Sequence, residues 1–421
     1  MKGGLLGIFL MVRRSLRQHA FSTAITVASV ALASGLVVSV FAIEAQTREA
    51  FGGGEVGFDA VLGARGSQLQ LVLNTVFHLE TSPGNIPWSL YTQVRDTPGV
   101  RLAIPYATGD NYEGFRIVGT TGDVFTKFEY QEGKKFQLAK GAFFDETRAE
   151  AVIGSYVAQK TGLKVGDEFH PSHGLSEMGG EEHHDEYVVV GILEPTNSPS
   201  DRVLWIPIEG IFRMSGHHLR GSGEDYQSKP GEAIPDEHKE VSAVMLKFAN
   251  PMTGFSMETT INKQGKVATL AFPIGRVMAE LFDKLGWMSR ILVLVAYLVV
   301  GVSGAAILAS IYNTINERRR EFAILRALGA RRRTVFSAIV TEAAVIALLG
   351  SLLGFVVYAL VLGATAYIVK QQTGVVLAVW QMHPALWMTP LGMTIVGALA
   401  GIAPALKAYA TDVAENLAPQ S

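Results

Sequence analysis

Residues 291–315 read ILVLVAYLVVGVSGAAILASIYNTI, a run without a single charged side chain. At a rise of 1.5 Å per residue a helix needs ~20 apolar residues to cross the hydrocarbon of a bilayer, so this run is long enough to span one. A buried helix of a large soluble protein is usually shorter and keeps a polar stripe, and this run is apolar on every face. Three more such runs stand on either side of it. Phe21 to Ile43 carries no charge, Val335 to Val369 is interrupted by Glu342 and by no other charge, and Trp387 to Leu406 has Pro390 and Pro404 near its ends. Across all 421 residues the chain is 48% hydrophobic and 18% charged, with a mean hydropathy of +0.25, more apolar than an ordinary soluble protein. The four runs predict four transmembrane helices.

Orientation follows from the basic residues, because Lys and Arg near the ends of spans stay on the cytoplasmic side. Lys2, Arg13, Arg14 and Arg17 precede the first run; Arg318, Arg319, Arg320, Arg326, Arg331, Arg332 and Arg333 lie between the second and third. Both segments are therefore expected in the cytoplasm. The connection before the fourth run carries little beyond Lys370 and His383 and is expected outside, which places both termini in the cytoplasm of a bacterial inner-membrane protein. The first run exceeds a signal-peptide core and is followed by Glu44-Ala45-Gln46 rather than a small-residue cleavage site, so it reads as a retained anchor. With no cysteine anywhere, catalytic thiols and cysteine-bound metals are excluded.

These readings divide the chain as follows: an amphipathic cytoplasmic segment at 1–20, spans at 21–45, 287–315, 334–369 and 387–407, a large extracytoplasmic domain at 46–286, a cytoplasmic helix at 316–333, a short outer loop at 370–386 and a tail at 408–421. The fold class is thus an α-helical membrane protein with an α+β domain inserted between its first two spans. Within that domain Phe115–Gly119, Tyr187–Leu193 and Val203–Pro207 are β-branched or aromatic and punctuated by Gly or Pro, as strands are. Gly66 to Leu79 and Ser155 to Thr161 read as helical, and stretches near Phe51 and Leu281 would prolong the flanking spans as stalks.

Eight of the ten histidines fall in this domain, and the densest group surrounds a Gly- and Ser-bearing insertion. His170, His173, Glu181, Glu182, His183, His184 and Asp185 offer imidazoles and carboxylates, the ligands of zinc-like ions. Their spacing matches no zinc motif, and a solvated polar loop has the same composition.

The segment from Asn313 to Arg333, NTINERRREFAILRALGARRR, has helical periodicity: Phe322, Leu325 and Leu328 recur at three-residue spacing, arginines cover the other faces, and Gly329 can end the helix. Arginine here also serves as a plain topology signal. Asn313 to Gly354 resembles the FtsX-like permease domain of MacB-type ABC transporters, whose coupling helix follows the pattern N-x-x-x-x-R-x-x-E-[FI]-[AG]-[IV]-x-[RK]-A-[LI]-G-A. Gly401 to Ala408 and the segments Leu163–Asp167 and Val190–Leu193 resemble further parts of that family.

The resemblance implies a non-catalytic permease subunit that binds no cofactor, with ATP and Mg²⁺ held by a separate cytoplasmic ABC ATPase; the chain itself contains no G-x-x-x-x-G-K-[ST] phosphate loop. It implies a homodimer of permeases in membrane lipid, with a periplasmic adaptor or substrate protein as a further partner, and nothing points to nucleic acid. Glu317, Arg318, Arg319, Arg320, Glu321, Phe322, Leu325, Arg326, Leu328, Gly329 and Arg331 would dock on the ATPase, apolar anchors within a charged rim. Gly350-x-x-x-Gly354 and Gly397-x-x-x-Gly401 predict close helix packing. Glu342 is expected either to pair with an arginine such as Arg332 or Arg333 or to reach the interface by itself. The expected mechanism is mechanotransmission to a periplasmic or lipid-linked cargo. Rival readings are a regulator of a periplasmic cell-wall hydrolase and, on the His-rich loop, metal-linked transport or a metalloenzyme.

Overall fold

The computed structural model describes residues 2–51, 57–174, 183–214, 219–220, 225–226, 232–374 and 383–410. It opens with helices α1 (Lys2–Gln18) and α2 (Ala20–Phe51). There follow β1 (Ala60–Ala64), α3 (Gln68–Thr75), β2 (Ile86–Pro87), α4 (Trp88–Arg95), β3 (Val100–Tyr112), β4 (Phe115–Thr120), α5 (Asp123–Thr126), β5 (Leu138–Gly141) and β6 (Glu150–Ile153). Next come α6 (Ser155–Thr161), β7 (Glu168–Phe169), β8 (Ser172–His173), β9 (Tyr187–Leu193), β10 (Val203–Pro207), α7 (Ile208–Arg213), β11 (Leu219–Arg220), β12 (Asp225–Tyr226), β13 (Glu240–Val241), β14 (Ala243–Phe248), α8 (Pro251–Glu258) and β15 (Ala268–Ala271). The chain closes with α9 (Ile274–Glu317), α10 (Arg319–Ala327), α11 (Arg332–Thr373) and α12 (Ala385–Ala410).

Two compact units divide these elements: one of Met1–Thr47, Leu285–Tyr367 and Leu377–Ser421, the other of Arg48–Lys284 with Ile368–Val376. The helical unit is built on α2, α9, α11 and α12, four helices long and apolar enough to cross a membrane. They run further than the expected spans, α2 to Phe51 and α9 from Ile274. Its interior repeats at helical spacing: Ile307, Ile311 and Ile315 from α9 meet Val335, Ile339 and Ala343 from α11, with Val27 and Val30 from α2. The opposite faces expose Leu294, Leu298 and Val302, then Leu353, Val356 and Leu360, then Leu391, Ile395 and Leu399. Apolar patches this extensive are not left in water and mark a lipid-facing surface.

Glycine sets how closely these helices approach. A Cβ on Gly350 would lie 2.5 Å from Val30 Cβ, and one on Gly35 would lie 2.5 Å from Val357 Cβ, so α2 and α11 touch backbone to backbone. Gly397 and Gly401 of α12 rest in the same way on Ala347 and Ala343 of α11. All four glycines expected in packing are at such contacts, and Gly35 joins them.

The second unit is organised by an 11-stranded mixed sheet with the order β15-β1-β14-β3-β4-β10-β6-β9-β5, to which β7 adds beside β9 and β8 beside β3. Most neighbours are antiparallel, while β10 runs parallel to β4 and β6 parallel to β9. Alternate residues enter separate cores on the two faces. Leu62, Ile117, Ile153, Leu204 and Val244 point one way; Val61, Val118, Val152, Trp205 and Met245 point the other. Burial on both faces explains why β10 reads as an unbroken apolar run, VLWIP, instead of an alternating one. Helix α6 ends where Gly162 takes a left-handed φ of 79°, a conformation that costs glycine little.

Candidate functional site: a short basic helix braced by a buried ionic cluster

Helix α10 is shorter than the 316–333 expected from the sequence. Helix α9 continues to Glu317, the backbone breaks at Arg318 (φ −100°, ψ 12°), and α10 covers the nine residues from Arg319 to Ala327. Its end is a Schellman motif. Gly329, at φ 96°, donates to Arg326 O at 3.0 Å, and Ala330 donates to Leu325 O at 3.0 Å, satisfying two carbonyls that the helix itself leaves open.

The break places Arg318 inward. Its Nη1 donates to Ser15 Oγ at 2.7 Å, Ser15 Oγ in turn donates to Glu342 Oε1, and Arg318 Nη1 lies 3.8 Å from Glu342 Oε2. Arg318 Nε also donates to Glu321 Oε2 at 3.0 Å, and its guanidinium stacks 5.0 Å above the Phe322 ring. The hydrogen bond from Arg318 holds the Glu321 carboxyl below the usual carboxylate range. Ser15, Arg318 and Glu342 are all buried, so the cluster ties α1, α10 and α11 together through groups that must stay paired. Glu342 therefore does not pair with the arginines expected from sequence proximity: Arg332 lies over the Tyr409 ring at 5.5 Å, and Arg333 is exposed. The α9–α10 break brings Arg318 back over the start of α11, which linear spacing does not reveal. Beside the cluster, His19 Nδ1 is 3.2 Å from Glu317 Oε2.

The apolar repeat of α10 is split between two surroundings. Phe322 is 9% exposed and belongs with Ala323 to the core of the helical unit, and Leu325 packs against that core. Leu328, by contrast, is 80% exposed, and Ile324, not singled out in the sequence, is 44% exposed. Arg319, Arg320, Glu321 and Arg331 are exposed around them, Arg319 donating to Asn316 Oδ1 at 2.9 Å, while Arg326 is half-buried. Phe322 is thus a root of the helix, and the outward apolar pair is Ile324 and Leu328.

In the sheet unit, the histidine-rich candidates do not gather as one group. Glu181 and Glu182 lie outside the described residues. His170 Nδ1 faces Asp185 O at 3.3 Å and its Nε2 stands 3.9 Å from Glu186 Oε1; His184 is exposed. His173 and His183 do come together, around Asp110 of β3. That carboxylate was not legible as a partner, because a strand pairing rather than local spacing brings it there.

The chain thus combines membrane-length helices, a short basic helix on a braced mount and an α/β domain. Residues 23–252 match the MacB-like periplasmic core domain and residues 293–413 the FtsX-like permease C-terminal domain, so the chain belongs to the MacB-like family of FtsX-type ABC permeases. The macrolide export ATP-binding/permease protein MacB of Nitrobacter winogradskyi is 24% identical over 306 residues, which cover 71% of this chain and 43% of the relative. Its namesake from Marinobacter nauticus is 23% identical over 366 residues, 82% of this chain and 51% of the relative. The chain spans about half the length of these curated relatives. Among solved structures, the extracellular domain of the noncanonic ABC-type transporter YknZ from Gram-positive bacteria aligns with 50% of this chain and 97% of its own, at 13% identity and a TM-score of 0.30. The periplasmic region of MacB from Actinobacillus actinomycetemcomitans aligns with 54% of this chain and 94% of its own, at 9% identity and a TM-score of 0.33.

Proposed function

We propose that the chain is the permease part of an ABC system in which ATP, with Mg²⁺, is hydrolysed on an ABC ATPase partner outside these residues. The four membrane-length helices cross the bacterial inner membrane with both termini in the cytoplasm, and the sheet unit is an extracytoplasmic insertion between the first and second spans. Support comes from the arginine-rich segment at 318–333 and from the position of every described strand between α2 and α9 in chain order. Two permeases pair with two ATPases, and α10 of each docks on one of them. Motion of α10 then passes along the spans to the sheet unit, where it acts on a periplasmic or lipid-linked cargo. Few charges interrupt the spans, which speaks against a polar path through the bilayer.

The observation that carries this reading is the two-sided character of α10. One side is fixed by Phe322 and the Arg318–Ser15–Glu342 cluster, as a helix must be if it is to transmit force; the other presents Ile324 and Leu328 within an arginine rim. Apolar anchors give affinity and the surrounding charge gives orientation. The test is ATPase stimulation by the full chain reconstituted in lipid with its ATPase. Ile324→Asp and Leu328→Asp are expected to reduce the stimulated rate about ten-fold or more while membrane yield and thermal stability stay near wild-type levels, since substitutions at exposed positions cost ~0.5 kcal/mol. Wild-type stimulation in both variants would reject the docking role.

A further inference from the structure

We propose that Asp110, His173 and His183 form a divalent-cation site of the zinc class in the sheet unit, independent of the coupling helix. The three residues come from separate places in the sequence and meet because of the sheet. Between Thr108 and Asn111 the pairing of β3 with β4 shifts register, a bulge that re-aims the side chains around it, and on its other side β3 pairs Asp110 with His173 of β8. The Asp110 carboxylate is 0% exposed. His183 Nε2 stands 3.1 Å and His173 Nδ1 3.3 Å from the same oxygen, Asp110 Oδ1, and the three ligand atoms all lie within 4.8 Å of one another.

That spacing suits a tetrahedral ion. Two ligand atoms each about 2.0–2.1 Å from zinc stand ~3.3 Å apart along a tetrahedral edge, close to the two separations between Asp110 and the histidines already present. The imidazole rings are 5.6 Å apart and steeply inclined, at 74°, so they approach the shared point from different directions rather than stacking. Two neutral nitrogens and one carboxylate oxygen are a donor set that zinc-like ions accept, and three protein ligands leave one position open.

The mount is also pre-set. Gly174 N donates to Gly109 O at 2.9 Å, His183 N donates to Pro171 O at 2.8 Å, and the Asn111 amide donates to Ser172 O and Gly174 O. Both histidines are therefore held by backbone contacts to the strands beside Asp110. His183 is buried and His173 is largely exposed, so the cluster is closed on its inner side and reachable from solvent on its outer one.

The experiment titrates Zn²⁺ alone into the purified full chain in micelles against a chromophoric chelator, and substitutes Co²⁺ to read coordination from its visible ligand-field bands. One ion per chain is expected at micromolar affinity or tighter, with the intense bands of a tetrahedral N/O site. Asp110→Asn, His183→Ala and His173→Ala are each expected to weaken binding by about 100-fold or more, beyond the loss typical of an outer-shell change. His173 is exposed, so its variant keeps the test decisive even if a change at buried Asp110 disturbs folding. Absence of micromolar binding, or binding that survives in the His173 and His183 variants, would overturn the proposal.

Discussion

The Arg318 guanidinium and the Glu342 carboxylate stand 3.8 Å apart with only 9% of either side chain exposed, joined by a hydroxyl from α1 that accepts from one and donates to the other. Removing one member of a buried pair leaves the other charged and unsolvated, at about 3–5 kcal/mol, whereas replacing both with apolar residues of similar size is often neutral. Arg318→Ala and Glu342→Ala should each lower the unfolding stability of the purified protein by that order. The double variant Arg318→Met/Glu342→Leu should recover most of it. Additive losses in the double variant would show that the two groups act separately.

The contact between α2 and α11 predicts a graded response along one helix. A valine at Gly350 or Gly354 places new atoms against Val30 or Ser34, and overpacking of this kind costs about 1–3 kcal/mol. Gly363, on the same helix, has open space where its Cβ would stand. Thermal unfolding should therefore separate Gly350→Val and Gly354→Val, both destabilised, from Gly363→Ala, which should match wild type. Equal melting of all three would contradict the close approach.

His78 predicts a pH dependence. The half-buried imidazole packs edge-on against Trp205, and burial, reinforced by the nearby Arg116 cation, pushes its pKa from 6.5 down to about 3. The unfolded chain takes up this proton first, so the stability attached to neutral His78 is complete above about pH 6.5 and drains away as pH falls toward 3, by up to ~1.4 kcal/mol per unit. His78 has a left-handed φ of 56°, which asparagine also adopts readily. Denaturant unfolding followed across this range should show a shallower acid slope in His78→Asn than in wild type. Parallel slopes would assign the acid sensitivity to other groups.

What the sequence disclosed depended on whether the relevant force is local. A membrane span is decided by the apolarity of its own residues, and the four runs are where the membrane-length helices lie. Tyr187–Leu193, Val203–Pro207 and Ser155–Thr161 likewise carry their signals within themselves and match β9, β10 and α6. Strand β3 does not: Pro105, Gly109, Asp110 and Asn111 give thirteen residues the texture of turns, and it holds together through its neighbours β14, β4 and β8. The same non-locality concealed Asp110 from the histidines and Arg318 from Glu342. In α10 the period identified an apolar stripe, yet a period alone cannot tell Phe322, turned into its own core, from Leu328, turned out.

Helix α9 has 44 residues and contains no proline. At 1.5 Å per residue it is ~66 Å long, over twice the thickness of the hydrocarbon layer. A helix of that length cannot be covered by hydrocarbon alone, so a large part of it must be solvated by water, by lipid headgroups or by other protein surfaces.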